Sequence, residues 1–221
     1  CYPVLDFGLS QDLERLQLVS TYTAMELESA ILHEEMETSE REIILTLAGT
    51  CELRSRETGK HVARVAEYSA MFGARAGLPA DEVERLKVAA PLHDIGKIAI
   101  PDGVLLKPGS LTVDEMAVMR THADLGYELL RLSELRILKA AAIVAREHHE
   151  KWDGSGYPRG LSGENINLYG RIVAVADVFD ALGSDRCYKQ AWPLEKILAD
   201  LREQSGRPFA PTRVNIFMAA L

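Results

Sequence analysis

The sequence predicts an all-α fold, a helical bundle with a long N-terminal linker helix. Three observations carry that expectation. From Ser10 to Arg56 only Gly49 interrupts a stretch without Gly or Pro, and Leu13, Leu16, Leu27, Ile31, Ile43 and Leu47 recur at roughly helical spacing. From Glu57 onward nearly every segment has an apolar face of helical period, and no convincing alternating strand pattern occurs. Thr112 followed three residues later by Glu115 is the signature of a capping box.

Taken in order, residues 1–9 read as a short strand or loop, the remnant of an upstream segment such as a sensor domain. Residues 10–56 read as one long helix, or two in series, acting either as a scaffold or as a signalling helix; strict heptads do not persist. Residues 57–221 form the remaining domain. Its expected helices are Arg64–Arg75, Asp81–Ala90, Thr112–Leu132, Ile137–His148, Leu168–Leu182 and Trp192–Gln204, with Pro193 suited to a first turn. Loops are expected at Ile98–Ser110 and Lys151–Asn167.

The bulk composition narrows the function. The 221 residues are 47% hydrophobic and 26% charged, enough for one large domain and too ordinary for disorder. The formal charge of -8 argues against general attraction to a nucleic-acid polymer or an anionic membrane, so an anionic ligand needs a local positive site. Three cysteines, Cys1, Cys51 and Cys187, are far apart and form no CxxC pair, which argues against a disulfide framework or a thiolate zinc site and fits a reducing, cytoplasmic compartment. No apolar run of 18 residues is present. The full-length chain could still be membrane-attached.

The chemistry lies in the histidines. Of six, His148 and His149 are adjacent, at the end of an apolar run and before a glycine-rich loop, HHEKWDGSGYP. Glu57 precedes His61 by four residues, one helical face. His93 is followed by Asp94, and Asp177 sits inside the apolar helix RIVAVADVFDAL, where a lone carboxylate is costly to bury. Any one of these is ordinarily structural. Together with His122 they share one explanation, a cluster of divalent ions held by imidazole and carboxylate, for which iron, manganese, nickel and zinc all qualify. Successive residues on a helix diverge by about 100°, so His148 and His149 can reach different ions. His33 fits no such set and reads as a solvated residue of the linker helix.

In order and spacing, ETGKHVARV, LHDIGKIAIPDGVLLKPGSLT, THADLGYELL, HHEKWDGSGYP, ADVFDALGSDRCYK and GRPFAP resemble the HD-GYP family of the HD phosphohydrolase superfamily. The resemblance covers about residues 50–215. It implies a bacterial metal-dependent phosphodiesterase that hydrolyses cyclic di-GMP to pGpG or GMP. It implies His61, His93, Asp94 and Asp177 as the basic metal set, His122, His148 and His149 as ligands of further metals, and Glu57 as a ligand where three ions are held. Two or three ions follow, iron or manganese first. Lys97 would lie near a metal-bound phosphate and act with Asp94 in the chemistry. Tyr157 and Gly156 would belong to a substrate rim, and Arg186 and Lys189 would hold phosphates. Three positions depart from the family: Cys187 for Pro, Gly183 for Thr and Ala210 for Asp. The last predicts a cost in local structure or ligand fit rather than lost metal.

With three divalent ions, Glu57, Asp94 and Asp177 would leave about +3, enough to attract a dianionic dinucleotide to an acidic domain. Two other readings stay open: a non-catalytic module that senses the dinucleotide or docks a protein, and a phosphohydrolase of another nucleotide. Cyclic GMP–AMP is an alternative substrate. A homodimer through the N-terminal helix would give an upstream sensor its lever.

Overall fold

The computed structural model describes residues 6–55, 60–184 and 190–210. Glu57, Arg186, Cys187 and Lys189 lie outside the described residues. Nine α-helices follow one another among them: α1 Asp6–Arg54, α2 Lys60–Arg75, α3 Ala80–Ala89, α4 Asp102–Leu105, α5 Val113–Arg120, α6 His122–Leu130, α7 Arg136–Glu147, α8 Leu168–Gly183 and α9 Leu194–Glu203. Short 3-10 turns occupy Ala90–Leu92, Ile95–Ala99 and Gly163–Asn165. Among the described residues strand pairing is limited to two isolated bridges, Asp153 with Ser162 and Ser205 with Phe209. The all-α expectation holds.

The chain divides into two units, Cys1–Ile43 and Ile44–Leu221. In the first, the expected long helix starts earlier than Ser10, at Asp6, and runs through Gly8, whose helix cost of about 1 kcal/mol is tolerated near an end. Every side chain from Gln11 to Ser39 is exposed, Leu13, Leu16, Val19 and Leu27 included.

The second unit holds the core. Helices α2, α3, α7 and α8 pack on one another, and α6 lies along α7. Val65, Phe72, Leu86, Val144, Ile172, Val173 and Phe179 fill the space between them. Phe179 meets the Tyr68 ring edge-on at 4.9 Å. Each fully buried Leu or Phe of this kind contributes roughly 1.5–3 kcal/mol of transfer free energy.

One expected helix is two. Thr112 caps α5 through the capping box, accepting from the Glu115 N–H while the Glu115 carboxylate accepts from the Thr112 N–H. The helix then breaks at Thr121, whose hydroxyl donates to the Val118 carbonyl at 2.7 Å. Such local bonds compete with the helical ladder. The break turns His122 to the first position of α6, facing the core. The expected loop 98–110 likewise contains a single turn of helix, α4.

Candidate metal centre

The His93-Asp94 dipeptide sits between two 3-10 turns. Pro91 lies in the first turn, Ala90–Leu92, and Asp94 precedes the second, Ile95–Ala99. Gly96 lets that second turn press on α6: a Cβ there would stand 1.9 Å from the His122 carbonyl oxygen. Only glycine allows the approach, and the approach brings His122 to Asp94.

The histidines share a pattern. His93 Nδ1 lies 3.0 Å from the Ala90 carbonyl, His122 Nδ1 2.8 Å from that of Met119, and His148 Nδ1 3.0 Å from that of Ala145. A carbonyl can only accept, so each Nδ1 carries a proton and, in the neutral ring, Nε2 presents a lone pair. Those three Nε2 atoms and Asp94 Oδ1 are buried without a hydrogen-bond partner. Orphaned polar atoms at such a depth are costly unless a cation meets them.

They converge in two clusters. In the first, Asp177 Oδ1 of α8 lies 3.4 Å from His61 Nε2 and 4.0 Å from His93 Nε2, and Asp94 Oδ2 lies 3.3 Å from His93 Nε2. Glu52, on the last turn of α1, stands with His61 and His93 as a group able to hold an ion. In the second, Asp94, His122, His148 and His149 form such a group. Asp94 Oδ1 is 3.2 Å from His122 Nε2 and 3.7 Å from His148 Nε2. Asp94 therefore turns one oxygen to each cluster. The His148 and His149 rings are 3.9 Å apart, and His148 leans on His93 where His149 leans on His122.

Electrostatics divide the clusters. Burial would lower His93, but Asp94, Asp177 and Glu52 raise it to about 9. Burial dominates at the others: His149 falls to about 3, and His122 and His148 are also lowered. Burial would raise Asp94, yet Lys97, His93 and His148 hold it well below the usual carboxylate range. Lys97 Nζ is 2.6 Å from Asp94 Oδ2. Cys51 Sγ lies 3.4 Å from the Asp94 carbonyl, and burial pushes its pKa up, so it stays a thiol rather than a thiolate ligand.

The remaining sequence-predicted residues fall at the rim. The Tyr157 ring stacks on His149 at 4.6 Å, with the Arg120 guanidinium 5.1 Å from the tyrosine ring centroid. Gly156 packs on its own backbone, where a Cβ would be 2.3 Å from the Lys151 nitrogen. Two buried carboxylates fix this loop. Glu150 accepts from the Arg159 and Leu161 N–H groups, and Glu147 from the Arg159 side chain and the Asn167 N–H.

Several residues escaped the sequence reading. Asp180, one turn after Asp177, accepts from His61 Nδ1 at 2.7 Å and from two nitrogens of Arg64. Such a carboxylate orients an imidazole ligand and raises its basicity. Its spacing of three from Asp177 within an apolar helix is a usable signal. Arg54 donates to the carbonyls of Lys97, Ile98 and Ile100 and to Asp102. Glu52 and Arg54 carry no motif that marks them out from the other charges of α1.

A His–Asp pair between two 3-10 turns, faced by histidines from surrounding helices, defines a class, and the comparisons name it. Residues 46–212 match the family model for the HD domain. The chain belongs to that family, in its HD-GYP branch. It is 49% identical over 197 residues to the cyclic di-GMP phosphodiesterase response regulator RpfG of Xanthomonas campestris pv. campestris, covering 88% of this chain and 52% of that one. It is 44% identical over 220 residues to the 3'3'-cGAMP-specific phosphodiesterase 2 of Vibrio cholerae serotype O1, covering 97% of this chain and 42% of that one. The chain thus spans about half the length of the curated relatives it matches. A crystal structure of a cyclic GMP-AMP-specific phosphodiesterase of V. cholerae superposes with a TM-score of 0.60 at 21% identity, over 81% of this chain and 48% of that one, and shares the fold. Among the described residues no helix is long and apolar enough to cross a membrane.

Proposed function

We propose that this chain is a metal-dependent phosphodiesterase that hydrolyses cyclic di-GMP. The observation that carries the reading is the convergence of the buried Nε2 atoms of His93, His122 and His148, none with a hydrogen-bond partner, on Asp94, whose two oxygens serve two clusters. His61, His93, Asp94 and Asp177 would hold one divalent ion, and Asp94, His122, His148 and His149 a second. Glu57 would serve a third. Nitrogen and carboxylate donors without thiolate favour iron or manganese.

Bound divalent ions supply an activated water and a clamp for phosphoryl oxygens. The chain's own residues do the rest. Asp180 and the backbone carbonyls hold the Nδ1 protons and keep the imidazoles turned with Nε2 toward the ions. Lys97, held against Asp94, brings a fixed positive charge toward the position where negative charge develops on the phosphoryl group. Tyr157 and Gly156 shape the rim, Tyr157 offering a ring face to a base. Arg186 by its planar fork and Lys189 as a point charge would hold the second phosphate. The exposed apolar residues between Leu13 and Ile31 support a homodimer along α1, through which a regulatory segment could act on the site from the cytoplasm.

The high identity to a 3'3'-cGAMP-specific relative across nearly the whole chain favours one second reading, cyclic GMP–AMP as substrate. Turnover of both dinucleotides by Mn- and Fe-loaded protein, with products separated, tests the proposal. Linear pGpG or GMP from cyclic di-GMP, lost in Asp94→Ala, is the expected result. Faster cleavage of cyclic GMP–AMP would move the substrate assignment. No cleavage of either by fully loaded protein would leave the non-catalytic sensing or docking module.

A further inference from the structure

The first cluster contains a carboxylate that the HD-GYP resemblance does not supply. Glu52 lies on the last turn of α1 and is 2% exposed. Its Oε1 stands 3.6 Å from His61 Nε2, and it forms one group with His61 and His93 whose donor atoms all lie within 4.8 Å of one another. His61 Nε2 also has Asp177 Oδ1 at 3.4 Å, and its other nitrogen is taken by Asp180. Two carboxylates, from α1 and α8, therefore approach the same ring nitrogen from different helices. Donors bound to one ion at roughly 2.0–2.2 Å stand no more than about 4.2 Å apart. The separations of 3.4, 3.6 and 4.0 Å around His61 Nε2 and His93 Nε2 meet that limit.

Charge points the same way. Among the described residues Glu52, Asp94, Asp177 and Asp180 gather at this end of the core, with Lys97 beside Asp94 and Arg64 beside Asp180. Such a concentration of carboxylates around imidazoles suits a divalent ion. The turn that bears Glu52 is also held rigidly. Its neighbour Cys51 contacts the Asp94 carbonyl, and Arg54 is bonded to the carbonyls of Lys97, Ile98 and Ile100. A carboxylate on such a turn is preorganised for a ligand.

We propose that Glu52 is a metal ligand of the first cluster, closing the site formed by His61, His93 and Asp177 from the side of α1. The proposal rests on the metal reading above. It differs from a structural role, in which Glu52 serves only to hold His61 in place.

The test uses Mn2+ as the probe and compares the parent with Glu52→Gln, Glu52→Asp and Asp94→Ala. Stoichiometry and affinity are read by elemental analysis and Mn2+ EPR titration, and Tm is measured without metal and with it. Glu52→Gln is expected to weaken binding of one Mn2+ at least tenfold and to shrink the Mn-induced rise in Tm. Its metal-free Tm should match or exceed the parent's, because a buried charge is gone. Glu52→Asp, with its shorter reach, should also bind more weakly from an intact fold. Unchanged affinity in Glu52→Gln overturns the proposal. So does a metal-free Tm that falls, or a metal-free Gln variant that does not fold, since a structural role predicts both. Full Mn2+ binding by Asp94→Ala would instead overturn the metal reading itself.

Discussion

The two histidine clusters share Asp94 and little else. The first is rich in carboxylate: Glu52, Asp94 and Asp177 surround His61 and His93, with Asp180 behind. The second, among the described residues, has three histidines with Asp94 as its one carboxylate. The consequence appears in His93 and His149, both deeply buried. His93 is raised to about 9 and His149 lowered to about 3. Burial pushes both down; what separates them is the number of negative groups within reach. The first cluster therefore presents negative charge that a proton on His93 or a metal cation offsets. The second presents lone pairs that burial keeps free of protons.

Removing the shared residue should have the largest effect. Asp94→Ala takes a carboxylate from both clusters at once, and turnover should fall more than a thousandfold, about 4 kcal/mol in barrier. A steady-state assay on metal-loaded protein checks this. Activity within tenfold of the parent would sink a metal-centred mechanism.

Asp180→Asn should sharpen the contrast by affecting one cluster. It removes the charge that orients His61 and leaves His122, His148 and His149 untouched. Affinity for one ion should fall roughly 10–100-fold while the other stays as it was. Equal loss at both would show that the clusters do not act separately.

The pH dependence of the metal-free protein should carry both signs. His122, His148 and His149 are lowered in the fold, from an ordinary value of 6.5. Below pH 6.5 the unfolded chain binds more protons than the folded one, so these histidines cost stability as pH falls from 6.5 toward 3. His93 runs the other way. Its contribution is whole below 6.5 and is lost as pH rises through about 9. Thermal melts in chelator should therefore show a maximum near pH 6.5, steeper on the acid side, where three histidines act together. A curve rising steadily to pH 9 would contradict the assignment of His93.

The smallest effect lies away from both clusters. Ala210 lines a small cavity with Glu150, Trp152 and Arg171, and Arg171 Nε is buried without a hydrogen-bond partner. Alanine at this departure from the family pattern predicts a local cost, and the orphaned nitrogen is a place for it. Ala210→Asp should add roughly 1 kcal/mol by giving Arg171 a partner, a rise in Tm of about 2–4 °C, with metal content unchanged. Calorimetry of the two proteins decides it.

Much of the metal centre is legible in the amino-acid sequence. His61, His93, Asp94, His122, His148, His149 and Asp177 stand out because imidazoles and buried carboxylates are rare and their register is helical. The fold brings all seven together. The helices are legible by period, α7 and α8 to within about a residue. What stays hidden depends on tertiary placement. The break at Thr121 arises from side-chain bonds that no apolar pattern encodes. Glu52 is one acidic residue among many on α1, and only the packing of its last turn separates it from Glu34 or Glu37, which are exposed. Asp180 is within reach, three residues from Asp177, but its role needs His61 and Arg64 beside it.

The fork of Arg54 has a consequence for anyone who wishes to cut the chain. Its guanidinium joins three backbone carbonyls, of Lys97, Ile98 and Ile100, in the turn after the His–Asp pair, from a position upstream of the first sequence motif. A fragment beginning at residue 57, where the motifs begin, would keep nearly every histidine and lose this strut together with Glu52 and Cys51. It would leave those carbonyls to water or to one another, and the turn that aims Asp94 would lose its brace. A fragment beginning at or before Ile44 keeps all three residues, so a usable piece that holds both clusters starts inside the long helix and not after it.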